Sequence, residues 1–435
     1  MKTIFKNISI ITQDKNSAII KRGFIVVENE KILKVCSGKF KVKNNKNNTI
    51  INGQGKIAIP GLINSHIHLG ESAFPFFLPL KYSLEKYLYL TEKLIKDHPE
   101  FETYRNVISD YSILLSLKSG TTTIAGGRVH DSAQKWGVRY ISGIMVMNSD
   151  KLRKFYNKTD EDIKKMKKEI SMDLGSLAIF IHSLPFIDKN KINEISKIKK
   201  TNKTLPIFIH FLETKKERDS IKKYWHKSPI KILKEAKLFN KYTHLIHCNW
   251  VTKKELQNII ESGCNIIQCP STNIIVDNKI LDLKEIIENN GRVSIATDGL
   301  STGKSLNLLK EAKTAYEYHN RKKETMSAKN IFDLITIEAS KNLKLNKKIG
   351  SLEVNKKADI AFLDNKININ SYNLYKDIIN NGRISGVMIN GKLIIWNNKV
   401  IKKLFSEQNI KKKFKSLIRK IKSSPTTEER LNKLK

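Results

Sequence analysis

The spacing of hydrophobic positions changes twice along this chain. Residues 1–58 carry short β-branched runs broken by Gly, Asn and Lys, as in SAIIKRGFIVVENEKILKV and NTIINGQGKIAI. Such runs read as short strands. The same texture returns from residue 350, in GSLEVNKKADIAFLD and ISGVMINGKLIIW. Over 59–349 the pattern differs. Apolar runs (GLINSHIHL, GTTTIAGG, RYISGIMVM, LAIFIHSLPF, LPIFIHFLE, THLIHCNW, NIIQCPST and RVSIATDG) alternate with segments such as DEDIKKMKKEISMD, INEISKIKK, SPIKILKEAKLFNK and TKKELQNIIES. In the latter, apolar positions recur at helical spacing. Eight buried strands alternating with helices predict an α/β fold, a (β/α)8 barrel. The flanking stretches, 1–58 and 350–435, then form one small β-sandwich domain built from both chain ends. The C-terminal stretch also holds a basic amphipathic helix, with Ile410, Phe414, Leu417, Ile418 and Ile421 on one face. That face is expected to pack on the barrel or a partner subunit rather than on an anionic membrane.

A barrel of this kind places its active site at the C-terminal ends of its strands. The polar residues there are chemically suggestive. The first predicted strand ends in His66 and His68, the fourth in His182, the fifth in His210, the sixth in His247 and the eighth in Asp298. Residues two apart on a strand project from one face, so His66 and His68 can point at a single ion. An H-x-H pair alone is a weak signal. With His210 and Asp298 it becomes three imidazoles and one carboxylate, a set that suits one divalent metal. Zinc is the first expectation, and iron or manganese would also fit. Such an ion lowers the pKa of water from ~16 toward ~7. Glu213, three residues after His210, is placed to protonate a ring nitrogen. His247 is placed to orient the attacking water, and Asp298 to carry its proton to the leaving group.

Charge alters this picture little. The chain of 435 residues has 80 Lys+Arg against 42 Asp+Glu, a formal net charge of +38. The Lys residues are spread along the chain, which reads as a solvated basic surface, not as a nucleic-acid stripe with interleaved aromatics. Cys36, Cys248, Cys264 and Cys269 form no C-x-x-C pair, and their number suits a reducing, cytoplasmic setting. MKTIFKNISIITQDK is a poor signal peptide, and no membrane span is expected. The H-x-E with P-C-x-x-C deaminase signature, H-E-x-x-H, Walker A and Rossmann motifs are all missing.

The pieces PGLINSHIHLGES, SGTTTI, HFLET, LIHCNW, CPSTN, IATDGLSTGKSLNLLKEAKTA and IGSLEVNKKADIAFLD…VMINGKLI occur in this order over nearly the whole length. With them the chain resembles the amidohydrolase superfamily, in its branch of adenosine-type, S-adenosylhomocysteine and triazine deaminases and chlorohydrolases. The resemblance implies that His66, His68, His210 and Asp298 hold one metal, and that Glu213 and His247 are catalytic without ligating it. His182 stands where two-metal members carry a bridging lysine. It implies hydrolytic deamination of an amino-substituted purine or nucleoside-type ring. The alternatives are triazine chloro- or aminohydrolysis, hydrolysis of a cyclic amide, and a catalytically silent scaffold. His182, Glu71, Arg128 and Arg139 are the candidate substrate contacts, the two arginines for a ligand bearing a carboxylate. The aromatic stretch GESAFPFFLPLKYSLEKYLYL is expected to stack on the ring or to be ordinary core. Relatives of this kind imply a dimer or tetramer.

Overall fold

The computed structural model describes residues 2–41, 48–78, 84–98, 100–147, 159–171, 173–321, 326–364, 366–401 and 406–423. Eight parallel strands form the barrel wall: Leu62–Asn64, Thr121–Gly127, Arg139–Val146, Gly175–Ser183, Ile207–Phe211, Thr243–His247, Asn265–Gln268 and Arg292–Ile295. They follow the eight apolar runs in order. The helices outside bury one face each. Lys189–Thr201, capped by Asp188, turns Ile192, Ile195 and Ile198 inward. Lys253–Ser262 begins in a Thr252–Glu255 capping box and stops at Gly263, whose φ of 70° favours a residue without a Cβ. Inside the barrel, Phe180, Phe208 and His244 stack nearly parallel, with centroids 4.4 and 4.2 Å apart.

The first and last barrel strands share no ladder of their own. Each instead bonds to one interposed segment: Ile295 N–H donates to Leu334 O at 3.1 Å, and Ile63 N–H to Ile335 O at 2.9 Å. Above this seam, Asn64 Nδ2 donates to Thr297 Oγ1 at 2.7 Å, and Thr297 N–H returns to Asn64 Oδ1 at 3.1 Å. The chain beyond then pairs directly, Ile67–His68 beside Asp298–Gly299. That short ladder sets His68 next to Asp298.

Strands from both chain ends join in one nine-stranded sheet. The two ends meet where Ile57–Pro60 runs antiparallel to Ile360–Leu363. The sheet curls on itself, because Ile32 N–H donates to Lys356 O and Ala358 N–H to Glu30 O, both at 2.8 Å. Phe5, Phe362 and Trp396 fill its interior. Arg139, expected to meet a substrate carboxylate, lies instead at the start of the third barrel strand, the face opposite the active site. Its guanidinium grips Asp359 of the KKADI segment at 2.7 and 3.1 Å. An arginine so engaged has no fork left for a ligand.

The C-terminal helix, Glu407–Lys422, packs on the barrel side of the molecule. Its five predicted apolar residues are all buried, Phe414 stacking on Tyr111 with centroids 3.9 Å apart. Around them lie Ala73, Phe74, Phe77, Leu78 and Tyr87. Phe74, Phe77 and Tyr87 of the aromatic stretch are therefore core, Phe76 and Tyr89 are exposed, and its residues 79–83 lie outside the described ones. No helix among the described residues is long and apolar enough to cross a membrane.

Candidate active site

Four side chains converge where the strands end. His66 Nε2 lies 3.0 Å from His68 Nε2 and 3.2 Å from His210 Nε2, and His68 Nε2 lies 3.3 Å from His210 Nε2. Asp298 Oδ1 is 3.2 Å from Nε2 of both His66 and His68. The four ligand atoms fall within 4.8 Å of one another. Nitrogen lone pairs this close repel, and protons cannot occupy all three. A cation between them removes both conflicts. A tetrahedral ion with bonds of about 2.0–2.1 Å holds its ligand atoms roughly 3.3–3.4 Å apart, close to the spacing here. The residues fit one metal.

The outer atoms of the set are fixed as well. His210 Nδ1 donates to the carbonyl of His182 at 2.7 Å. A carbonyl only accepts, so Nδ1 carries the proton and Nε2 faces the ion. Asp298 Oδ2 accepts from Thr302 Oγ1 at 3.0 Å, which leaves Oδ1 for the centre. Burial pushes the Asp298 carboxyl up, but its hydrogen bonds with His66 and His68 outweigh burial and hold it well below the usual carboxylate range. Burial pushes His66 down to about 4. Both shifts favour the deprotonated forms that ligate.

Glu213 and His247 stand beside this centre. Glu213 Oε2 is 3.6 Å from His247 Nε2, and both side chains are buried. Burial, then the charge of Asp298, raises the Glu213 carboxyl well above its ordinary value, as a proton donor requires. The backbone is bent to serve these groups. Leu212, His247 and Asp298 have φ of 51°, 74° and 59°, the left-handed region that disfavours residues with a Cβ.

His182 sits at the end of the fourth strand, its ring centroid 5.3 Å from that of His210 and 4.6 Å from that of Phe186. Burial pushes it down to about 4. Glu71 places Oε1 3.5 Å from His68 Nδ1, and its Oε2 accepts from Ser301 Oγ at 2.5 Å. Arg128 stands exposed at the end of the second strand. All but Arg139 thus share the C-terminal rim. Sequence reasoning passed over Asn273, Gln268, Thr302 and Glu217. Asn273 lies in CPSTN and Glu217 completes a T-x-x-E start in HFLETKKE, signals that were present. Glu217 Oε2 accepts the Glu213 N–H at 2.7 Å.

Residues 57–394 match the sequence profile of the Amidohydrolase family. A 5-methylthioadenosine/S-adenosylhomocysteine deaminase of Clostridium tetani is 30% identical over 439 residues, covering 97% of this chain and 99% of that protein. One of Bacillus cereus strain 03BB102 is 27% identical over 91% of this chain and 94% of its own length. Among solved structures, a zinc-bound adenosine deaminase of Xanthomonas campestris superposes with a TM-score of 0.87 at 16% identity, covering 97% of this chain and 99% of that one. A triazine hydrolase of Arthrobacter aurescens does so with a TM-score of 0.86 at 19% identity, covering 96% and 99%. At those identities the two structures share the fold.

Proposed function

The chain belongs to the amidohydrolase family, and from that premise we propose that it is a one-metal hydrolytic deaminase of an amino-substituted purine or nucleoside-type ring. The observation that carries the reading is the convergence of three Nε2 atoms and Asp298 Oδ1 with the Glu213–His247 pair against them. His66, His68, His210 and Asp298 hold the ion. Zinc is the ion we favour, supported by the donor set and by zinc in the adenosine deaminase of the same fold. A bound ion supplies positive charge that makes a water acidic enough to attack near neutral pH.

The side chains manage the protons. Glu213, whose carboxyl burial raises, gives its proton to the ring nitrogen next to the carbon under attack. His247 accepts the hydrogen bond that aims the water. Asp298 takes a proton from the adding water and passes it to the amino group. As the C–N bond breaks and ammonia leaves, the remaining hydroxyl proton of the adduct returns to Glu213, and a ring carbonyl remains. Glu71, His182 and Arg128 line the approach and are the residues we assign to substrate contact. The deaminase names of the two bacterial relatives make 5-methylthioadenosine and S-adenosylhomocysteine the first compounds to try. Cytoplasmic residence agrees with four free thiols, and a homo-oligomer is our expectation for its assembly.

The test is metal content together with ammonia release from a panel of aminopurines, adenosine derivatives and aminotriazines. About one ion per chain, ammonia from one substrate, and a 10²–10⁴-fold loss of kcat in Glu213→Gln are expected. Two ions per chain would move the protein to amide hydrolysis. Chloride or alkylamine release from a triazine would move it to the other branch. No metal and no product would leave a scaffold.

A further inference from the structure

Behind His247 lies a closed circuit of three buried side chains. His247 Nδ1 is 2.8 Å from Asn273 Oδ1. Asn273 Nδ2 donates to Gln268 Oε1 at 3.0 Å. Gln268 Nε2 donates back to the main-chain carbonyl of His247. Gln268 and Asn273 are wholly buried and His247 is 1% exposed, so water does not compete for these bonds. The circuit can close in only one sense. A carbonyl accepts and cannot donate, so Gln268 must turn Nε2 toward His247 O and Oε1 toward Asn273. Gln268 Oε1 also accepts from Leu281 N–H at 3.4 Å, which favours the same orientation. Asn273 must then turn Nδ2 to Gln268 and Oδ1 to the imidazole. An amide oxygen only accepts, so His247 Nδ1 carries the ring proton and Nε2 is left bare. That bare nitrogen is the one facing Glu213.

The circuit also grips the residue at two points, its ring and its carbonyl. His247 adopts φ 74° and Cys248 φ 56°, left-handed backbone that disfavours a residue with a Cβ. A left-handed backbone at residues with a Cβ persists where surrounding bonds over-determine it. Gln268 ends the seventh barrel strand and Asn273 lies in the helix Pro270–Asp277 that follows. The next strand and its helix thus fix the orientation of a side chain on the sixth.

We propose that Asn273, backed by Gln268, is the positioning residue that holds His247 in the Nδ1–H tautomer with Nε2 bare toward the reacting centre. The consequence for turnover rests on the deaminase reading above; the consequence for the tautomer does not. The experiment uses zinc-loaded full-length protein labelled with ¹⁵N-histidine, with His247→Gln to assign the resonance. In the wild type, His247 Nδ1 is expected to carry the proton. In Asn273→Leu that preference is lost, and kcat falls about 100-fold, within the range assigned to a positioned acid or base. KM and the bound zinc stay unchanged. Asn273→Asp keeps an acceptor at the same place, and should restore the tautomer and at least tenfold of the lost rate. Gln268→Met, which removes only the backing, should lose about tenfold by the same measure. If Asn273→Leu fails to fold, Asn273→Asp and Gln268→Met carry the test. A wild-type His247 protonated at Nε2, or an Asn273→Leu enzyme within twofold of wild type, would overturn the proposal. Should no compound be deaminated, the deaminase reading fails alone and the ¹⁵N measurement decides this one.

Discussion

Replacing Arg139 separates a structural role from the substrate contact that its sequence position suggested. Its guanidinium makes a two-pronged bond to Asp359, and further bonds to Asp173 O at 3.1 Å and Asn390 Oδ1 at 3.3 Å. The two side chains are 4% and 2% exposed. Burial favours the uncharged guanidine, but the attraction of Asp359 outweighs it and holds the pKa of Arg139 above its ordinary value. Arg139→Met strands the Asp359 carboxylate, whose remaining neighbour is the Asn390 N–H at 2.8 Å. Removing one partner of a buried pair costs about 3–5 kcal/mol, whereas replacing both by apolar residues is close to neutral. For 435 residues, 4 kcal/mol corresponds to a fall in Tm of roughly 4 °C, since the entropy of unfolding scales with chain length. The assay is thermal unfolding of Arg139→Met, Asp359→Leu and the double variant, with KM measured on each. Both single variants should melt lower, and the double variant should recover most of the loss with KM unchanged. A single variant that melts within 1 °C of wild type while its KM rises would refute the lock and return Arg139 to the substrate.

Chelation should lower Tm, because an ion that binds only the folded chain stabilises it by about 2.7 kcal/mol at a hundred times its Kd. Asp298→Asn should lose that response, and an unchanged response in differential scanning fluorimetry would remove Asp298 from the ligand set. Glu311 is wholly buried, and burial raises it from 4.5 to about 8. A carboxyl raised on folding contributes most stability while both states are protonated, below about pH 4.5, and that contribution is lost as pH rises through 8. Denaturant midpoints at pH 5 and pH 8 should therefore diverge from those of Glu311→Gln, the wild type losing ground at pH 8; parallel values would contradict the shift.

The barrel was legible because parallel strands buried on both faces are continuous apolar runs, and each is followed by a helix with its own period. The candidate metal ligands were legible because strand ends are where inward polar residues have no packing reason to be. Arg139 was misread since a strand carries chemistry at only one end, and RYISGIMVM does not announce that its arginine opens the strand. The pairing with Asp359 spans 220 positions, beyond any local pattern. Asn273 and Gln268 were missed for a related reason. Gln268 signals nothing by composition, Asn273 only by its place in CPSTN, and their role exists only once the seventh strand and the helix after it bring them beneath His247.

The candidate metal centre stands over the seam between the first and last barrel strands. The first strand has three residues and the eighth has four, and among the described residues their backbones meet through Leu334 and Ile335. Unpaired strand edges carry backbone groups that need partners, and the seam supplies them by side chains, Asn64 to Thr297, and then by the brief ladder that joins Ile67–His68 to Asp298–Gly299. His66 and His68 stand on one side of that seam and Asp298 on the other. An ion held by all of them would add bonds where, among the described residues, the wall lacks a continuous ladder. A continuous ladder would hold the two strand ends about 4.8 Å apart in fixed register. At the seam the short pair Ile67–His68 and Asp298–Gly299 forms instead, and Asp298 takes a left-handed φ of 59° with its carboxylate against the imidazoles of His66 and His68.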